Sequence, residues 1–159
     1  MLRIDSPLYQ DLRRHGEETY PHECCGVLLG RRAGEARVVT GVLRCGNGRH
    51  DSPQNRYVID PGELLRAEKL ARGRGEEIVG FYHSHPDHPA RPSATDLAEA
   101  HWLGCSYVIT RVAGGRAEAT SSFLLAGLGE EDKRFQDEEI RVGGGEPAGA
   151  PARSQGELR

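Results

Sequence analysis

The sequence predicts a single mixed α/β domain, and three observations carry that prediction. Its 159 residues suffice for one hydrophobic core and little more. Short aliphatic segments bounded by turn formers alternate along the chain with segments of helical periodicity. Hydrophobic residues make up 36% and charged residues 28%, far from the polar extreme at which chains stay disordered.

From Ser6, the stretch SPLYQDLRRHGEETYP offers an N-cap serine, a proline at the first helical position and helix formers up to Gly16, so an opening helix is expected. GVLLG at 26–30 and ARVVTGVL at 36–43, separated by the turn-prone RRAGE, read as paired antiparallel strands. CGNGRHDSPQN at 45–55 is polar and rich in turn formers and reads as a loop; RYVID, at 56–60, has the composition of a third strand. PGELLRAEKLARGRG, from Pro61, sets Leu64, Leu65, Ala67, Leu70 and Ala71 at helical spacing and stops at Gly73 and Gly75. EIVGFYHSHP then reads as a buried strand, ATDLAEAHWLG as a short helix, and CSYVITRV and EATSSFLLA as two further strands. KRFQDEEIRV reads as a last edge strand. Beyond Val142 the sequence is glycine, proline and polar residues with nothing to bury, so a domain over 1–142 and a disordered tail over 143–159 are expected, with Gly143-Gly144-Gly145 a linker.

A net charge of −3 provides no basic field for a phosphate backbone, which argues against nucleic acid as the main partner. No apolar run is long enough to span a bilayer, and the N-terminus lacks the apolar centre of a signal peptide, so a cytoplasmic protein is expected. The cysteines at 24, 25, 45 and 105 show neither a Cys-x-x-Cys pair nor disulfide-like density and read as reduced thiols.

The chemistry concentrates around residues 83–96. Alternate strand residues share a face, so His83 and His85, flanking Ser84, can offer two imidazoles to one ion, while Ser84 points the other way. Imidazole and carboxylate are ordinary zinc ligands, and a catalytic zinc keeps three protein ligands with water in the fourth position. Asp96 lies eleven residues beyond His85, past the proline-restricted PDHPARP, and is the natural third ligand. A second reading stands beside it: Ser93-Ala94-Thr95-Asp96 is also a helix capping box, and both readings put Asp96 in the first turn of a helix. The histidines at 15, 22, 50, 88 and 101 lack ligand spacing and read as surface or structural groups.

His83-Ser84-His85-Pro86, followed by Ser93 and Asp96, matches the pattern His-Ser/Thr-His-x7-Ser-x2-Asp without a gap, and the chain here resembles the JAMM (MPN-plus) metalloproteases. Pro21-His22-Glu23-Cys24-Cys25-Gly26-Val27-Leu28-Leu29-Gly30 is similar to the segment that carries that family's upstream glutamate, and the likeness spans roughly Leu8 to Leu125. The resemblance implies an MPN fold, a mixed and mostly antiparallel sheet flanked by helices, similar to the cytidine deaminases. It implies one Zn2+ per chain on His83, His85 and Asp96, with Glu23 moving protons for the attacking water and Ser93 meeting the oxyanion. Catalysis by Cys24 or Cys25 is the weaker alternative, since buried cysteines at a strand start are usually structural.

The chain's size resembles that of short bacterial members that act on ubiquitin-like sulfur-carrier proteins ending in Gly-Gly, releasing cysteine or a short extension. A deubiquitinase-like isopeptidase acting on another ubiquitin-like modifier is the nearest alternative, and a homodimer is left open. A non-catalytic MPN scaffold would lack one or more ligands, whereas this sequence has the full set. A zinc deaminase would carry the combined His-x-Glu and Pro-Cys-x-x-Cys signature, which is absent.

Overall fold

A computed structural model of the protein describes residues 1–47 and 57–143. The chain opens with strand β1 (Leu2–Ile4) and helix α1 (Ser6–Thr19), and strands β2 (Cys25–Ala33) and β3 (Ala36–Cys45) form a hairpin. Helix α2 (Pro61–Gly73), strand β4 (Glu77–Pro86) and the short helix α3 (Ala94–Glu99) follow. Strands β5 (Ser106–Ala113), β6 (Arg116–Ala126), β7 (Arg134–Glu138) and β8 (Ile140–Val142) complete the order. All eight strands join one sheet in the order β7-β6-β5-β4-β2-β3-β1-β8. The pairing is antiparallel except at β4–β5, β1–β3 and β1–β8, so the sheet is mixed and mostly antiparallel, as expected.

Helices cover both faces. Leu12 of α1 packs with Leu2, Ile4, Leu28, Val79, Tyr82 and Val108. On the other face, Ala67 and Ala71 of α2 pack with Val27, Leu29, Ile78, Phe81 and Tyr107. Strict alternation along β4 would send Ile78 and Phe81 to opposite faces. The register shift between Leu28 and Leu29 opposite this segment inserts one residue, a β-bulge that resets the parity. From Phe81 onward the odd positions of β4, His83 and His85 among them, face the α2 side.

Several elements differ from the sequence expectation. Asp5, not Ser6, caps α1, accepting a hydrogen bond from the Leu8 amide at 3.0 Å. The helix also runs through Gly16 to Thr19. Gly16 lies against the sheet, where an added Cβ would stand 2.9 Å from Val112 and 3.2 Å from Ser84, so its small size serves packing rather than termination. No strand forms over Tyr57–Asp60. Val58 gives its N–H to the Asn47 side chain at 3.2 Å and Asp60 caps α2, so these residues serve contacts other than a ladder.

The expected C-terminal edge strand is instead two strands on opposite edges, β7 beside β6 and β8 beside β1, divided by Glu139 alone. The buried Glu138 carboxylate sits at this junction and accepts hydrogen bonds from Arg37 at 2.5 Å, Ser106 at 2.6 Å and Ser122 at 2.7 Å. The short β1, which ties β8 to β3, was not anticipated. The expected loop over 45–55 begins within β3 at Cys45, and its residues from 48 on lie outside the described residues. So does the expected tail beyond Gly143. Among the described residues, no helix is long and apolar enough to cross a membrane.

Candidate metal centre

The end of β4 presents His83 and His85 on one face, and the capped start of α3 brings Asp96 to them. Nε2 of His83 is 3.1 Å from Nε2 of His85 and 3.4 Å from Oδ1 of Asp96, while His85 Nε2 is 3.1 Å from Asp96 Oδ2. A tetrahedral zinc with ligand bonds of about 2.0–2.2 Å would hold its ligand atoms about 3.3–3.5 Å apart. The two imidazole nitrogens and the Asp96 carboxylate, which turns one oxygen to each of them, therefore stand close to the spacing of ligands on one such ion.

Hydrogen bonding supports the same fit. His85 Nδ1 lies 2.8 Å from the Pro89 carbonyl, which can only accept, so Nδ1 carries the proton and Nε2 offers a lone pair. That lone pair faces a carboxylate oxygen that also offers only lone pairs, an arrangement a cation between them resolves. Burial pushes the His83 imidazole below its usual pKa and keeps it neutral, as a ligand must be. For Asp96, burial favours the neutral acid, but the imidazoles of His83 and His85 beside it outweigh that and hold the carboxyl below the usual range.

The cap formed by Asp96 is compatible with the ligand reading. Its backbone N–H donates to Ser93 Oγ at 3.0 Å, and Oδ2 accepts the Ser93 N–H at 2.8 Å while also facing His85. Ser93 Oγ serves the cap as an acceptor, which leaves its hydroxyl proton free to donate elsewhere.

Glu23 enters the same region through sheet register. It lies two residues before Cys25, whose register partner on β4 is His83. Its side chain is buried, Oε2 has no hydrogen-bond partner among the described residues, and burial, with Asp96 and Glu99 nearby, raises its pKa to about 9.

Ser84 turns to the other face, as alternation requires, and its Oγ accepts the Cys24 N–H at 2.8 Å. All four cysteines are free and buried, and burial lifts the Cys24 thiol to about 11 and Cys25 further still, which disfavours the thiolate a cysteine nucleophile needs. His15 is a buried partner of the Tyr82 hydroxyl at 2.7 Å and His101 pairs with Glu130, while His22 and His88 are exposed; His50 lies outside the described residues.

Two participants were not anticipated from sequence. The Tyr57 ring stacks on His83, and the Pro89 carbonyl orients His85. Tyr57 also lines, with Phe81, Trp102 and Tyr107, an apolar hollow of about 290 Å³ beside the centre.

Two histidines from a strand end, an aspartate from a capped helix and a buried upstream glutamate on a two-faced mixed sheet define a JAMM-type domain of the JAB/MPN fold. Residues 5–125 match Prok-JAB, the prokaryotic homologs of the JAB domain, and the chain belongs to that family. It is 37% identical over 117 residues, 74% of each chain, to a probable TtuB-protein conjugate cleaving protease of Thermus thermophilus. A desampylase of Haloferax volcanii is 40% identical over 89 residues, 56% of this chain and 62% of that protein, so this match spans less than two thirds of that relative. A CysO-cysteine peptidase of Mycobacterium tuberculosis is 32% identical over 109 residues, 69% of this chain and 72% of that one. These relatives are named as a desampylase, a protease and a peptidase. Among solved structures, a Desulfitobacterium hafniense protein superposes with a TM-score of 0.76 at 34% identity, covering 89% of this chain and 92% of that one. A JAB1/MPN domain protein from Archaeoglobus fulgidus shares the fold, with a TM-score of 0.54 at 16% identity over 89% of this chain and 99% of its own.

Proposed function

We propose that residues 1–142 form a cytoplasmic zinc peptidase that hydrolyses the amide bond after the C-terminal Gly-Gly of a ubiquitin-like sulfur-carrier protein, releasing cysteine or a short extension. The convergence of His83, His85 and Asp96 at tetrahedral ligand spacing carries this reading. The relatives support the substrate class: one is a probable TtuB-protein conjugate cleaving protease, another a CysO-cysteine peptidase.

In this reading His83, His85 and Asp96 hold one zinc ion. When bound, zinc would supply Lewis acidity and lower the pKa of a water molecule to about 7. Glu23 orients that water, takes its proton and returns a proton to the departing amine. Burial raises the Glu23 carboxyl to about 9, and a cation held by His83, His85 and Asp96 would lower it toward the range in which it can take and return a proton. Ser93 directs its free hydroxyl proton to the oxygen on which negative charge develops. Glycine on the acyl side of the bond suits the site because it lets an extended chain approach the centre closely.

The test offers the purified chain, with its metal content measured by mass spectrometry, a Gly-Gly-ended carrier joined to cysteine and, separately, isopeptide-linked ubiquitin dimers. Cleavage of the first by wild type, with Glu23→Gln and Asp96→Ala inactive, supports the reading. Cleavage of the dimers alone would shift it to the isopeptidase alternative. Zinc binding with cleavage of neither would leave a binding module.

A further inference from the structure

We propose that Asp87 is a positioning residue for the metal centre, holding the loop after β4 so that the Pro89 carbonyl meets His85 Nδ1 and tying that loop to the segment carrying Glu23. The proposal rests on the metal reading above. Asp87 has φ +56°, and it is the one non-glycine residue in the left-handed region among the described residues. Its N–H donates to the Val112 carbonyl at 2.8 Å, extending the β4–β5 pairing one step past Pro86 before the chain turns away. That turn sends residues 88 and 89 back over His85 and puts the Pro89 carbonyl 2.8 Å from Nδ1.

Glycine would adopt this backbone conformation with less resistance, so the turn alone gives no reason for an aspartate. Its carboxylate is engaged at both oxygens. Oδ1 accepts the Gly114 N–H at 2.9 Å from the β5–β6 turn, and Oδ2 accepts the Tyr20 hydroxyl at 2.6 Å. Tyr20 ends α1 three residues before Glu23. One side chain thus joins the loop that orients a ligand, the turn beyond the neighbouring strand, and the segment delivering the general base. Asp87 touches none of the three donor atoms, so its effect on the centre passes through His85.

The experiment compares wild type, Asp87→Gly, Asp87→Asn and Tyr20→Phe as full chains. Zinc affinity is read by competition with a chromophoric chelator, the cobalt(II)-substituted forms by visible absorption, and the metal-free forms by thermal unfolding. Asp87→Gly keeps the turn and removes both tethers; it should bind zinc about 10- to 100-fold more weakly and shift the cobalt bands, with little change in metal-free unfolding. Tyr20→Phe should show a smaller loss, and Asp87→Asn, which keeps an acceptor for Gly114, an intermediate one. Wild-type affinity and an unshifted cobalt spectrum in Asp87→Gly would overturn the positioning role, as would a loss that only tracks a lower metal-free unfolding temperature. Failure of wild type to bind either metal would instead remove the metal reading, and this proposal with it.

Discussion

The ring of Tyr57 lies on the imidazole of His83 with centroids 4.4 Å apart and planes 26° from parallel. Stacking fixes the plane of an imidazole whose Nδ1 has no hydrogen-bond partner among the described residues. His85 is held by the Pro89 carbonyl; His83 is held by an aromatic face. An aromatic pair contributes about 0.5–1.5 kcal/mol beyond its buried area. Tyr57→Ala should therefore weaken zinc binding roughly 2- to 10-fold in a chelator competition, with Tyr57→Phe close to wild type.

Glu23→Gln should reduce turnover by at least about a hundredfold while leaving zinc stoichiometry unchanged, measured by steady-state cleavage and mass spectrometry. The same substitution has a signature in the metal-free protein. The folded pKa of Glu23, about 9, lies above its ordinary 4.5, so the fold binds the proton more tightly than the unfolded chain does. Its stabilising contribution is complete below pH 4.5 and is lost as pH rises through about 9. Urea midpoints of metal-free wild type should fall across that window relative to Glu23→Gln; parallel profiles would contradict the burial of this carboxyl.

Substitution can separate the cap that Ser93 forms from the oxyanion role proposed for it. Ser93→Ala should cost about 1 kcal/mol of stability through the lost cap, whereas Ser93→Gly should cost only a few tenths. Both remove the hydroxyl and should lower kcat about a hundredfold. Activity that followed stability across the pair would assign Ser93 to the cap alone.

Glu138 should contribute to the acid limb of stability. Burial opposes its ionisation, but hydrogen bonds from Ser106, Ser122 and Arg37 prevail and keep its pKa below the ordinary value of 4.5. Its contribution is therefore present above pH 4.5 and is lost as pH falls through the depressed folded value. Glu138→Gln should lower stability at pH 7 by about 3–5 kcal/mol, because Arg37 is left buried without its counter-charge, and should flatten the acid limb in urea titrations.

Much of this protein was legible one segment at a time. Helical spacing gave away α2, aliphatic runs marked β2 to β6, and the two histidines with the aspartate eleven residues on marked the cluster that could hold a metal, because periodicity and short spacing are local properties. The tie between cap and ligand at Asp96 was legible too, and both readings correspond to contacts the folded chain makes. Other features depended on partners remote in sequence. RYVID has strand-forming residues, yet Tyr57 is used by a histidine 26 positions away and Asp60 by a helix start. The last strand is divided just after Glu138, whose carboxylate Arg37, Ser106 and Ser122 hold from three other strands. Glu23 stands 60 positions from His83 in the chain, and it reaches the metal centre only because β2 and β4 are hydrogen-bonded neighbours with Cys25 in register with His83. Residue type and spacing can nominate ligands within one stretch of chain. Burial, register and the pairing of distant strands determine which carboxylate faces them, and those arise when the sheet assembles.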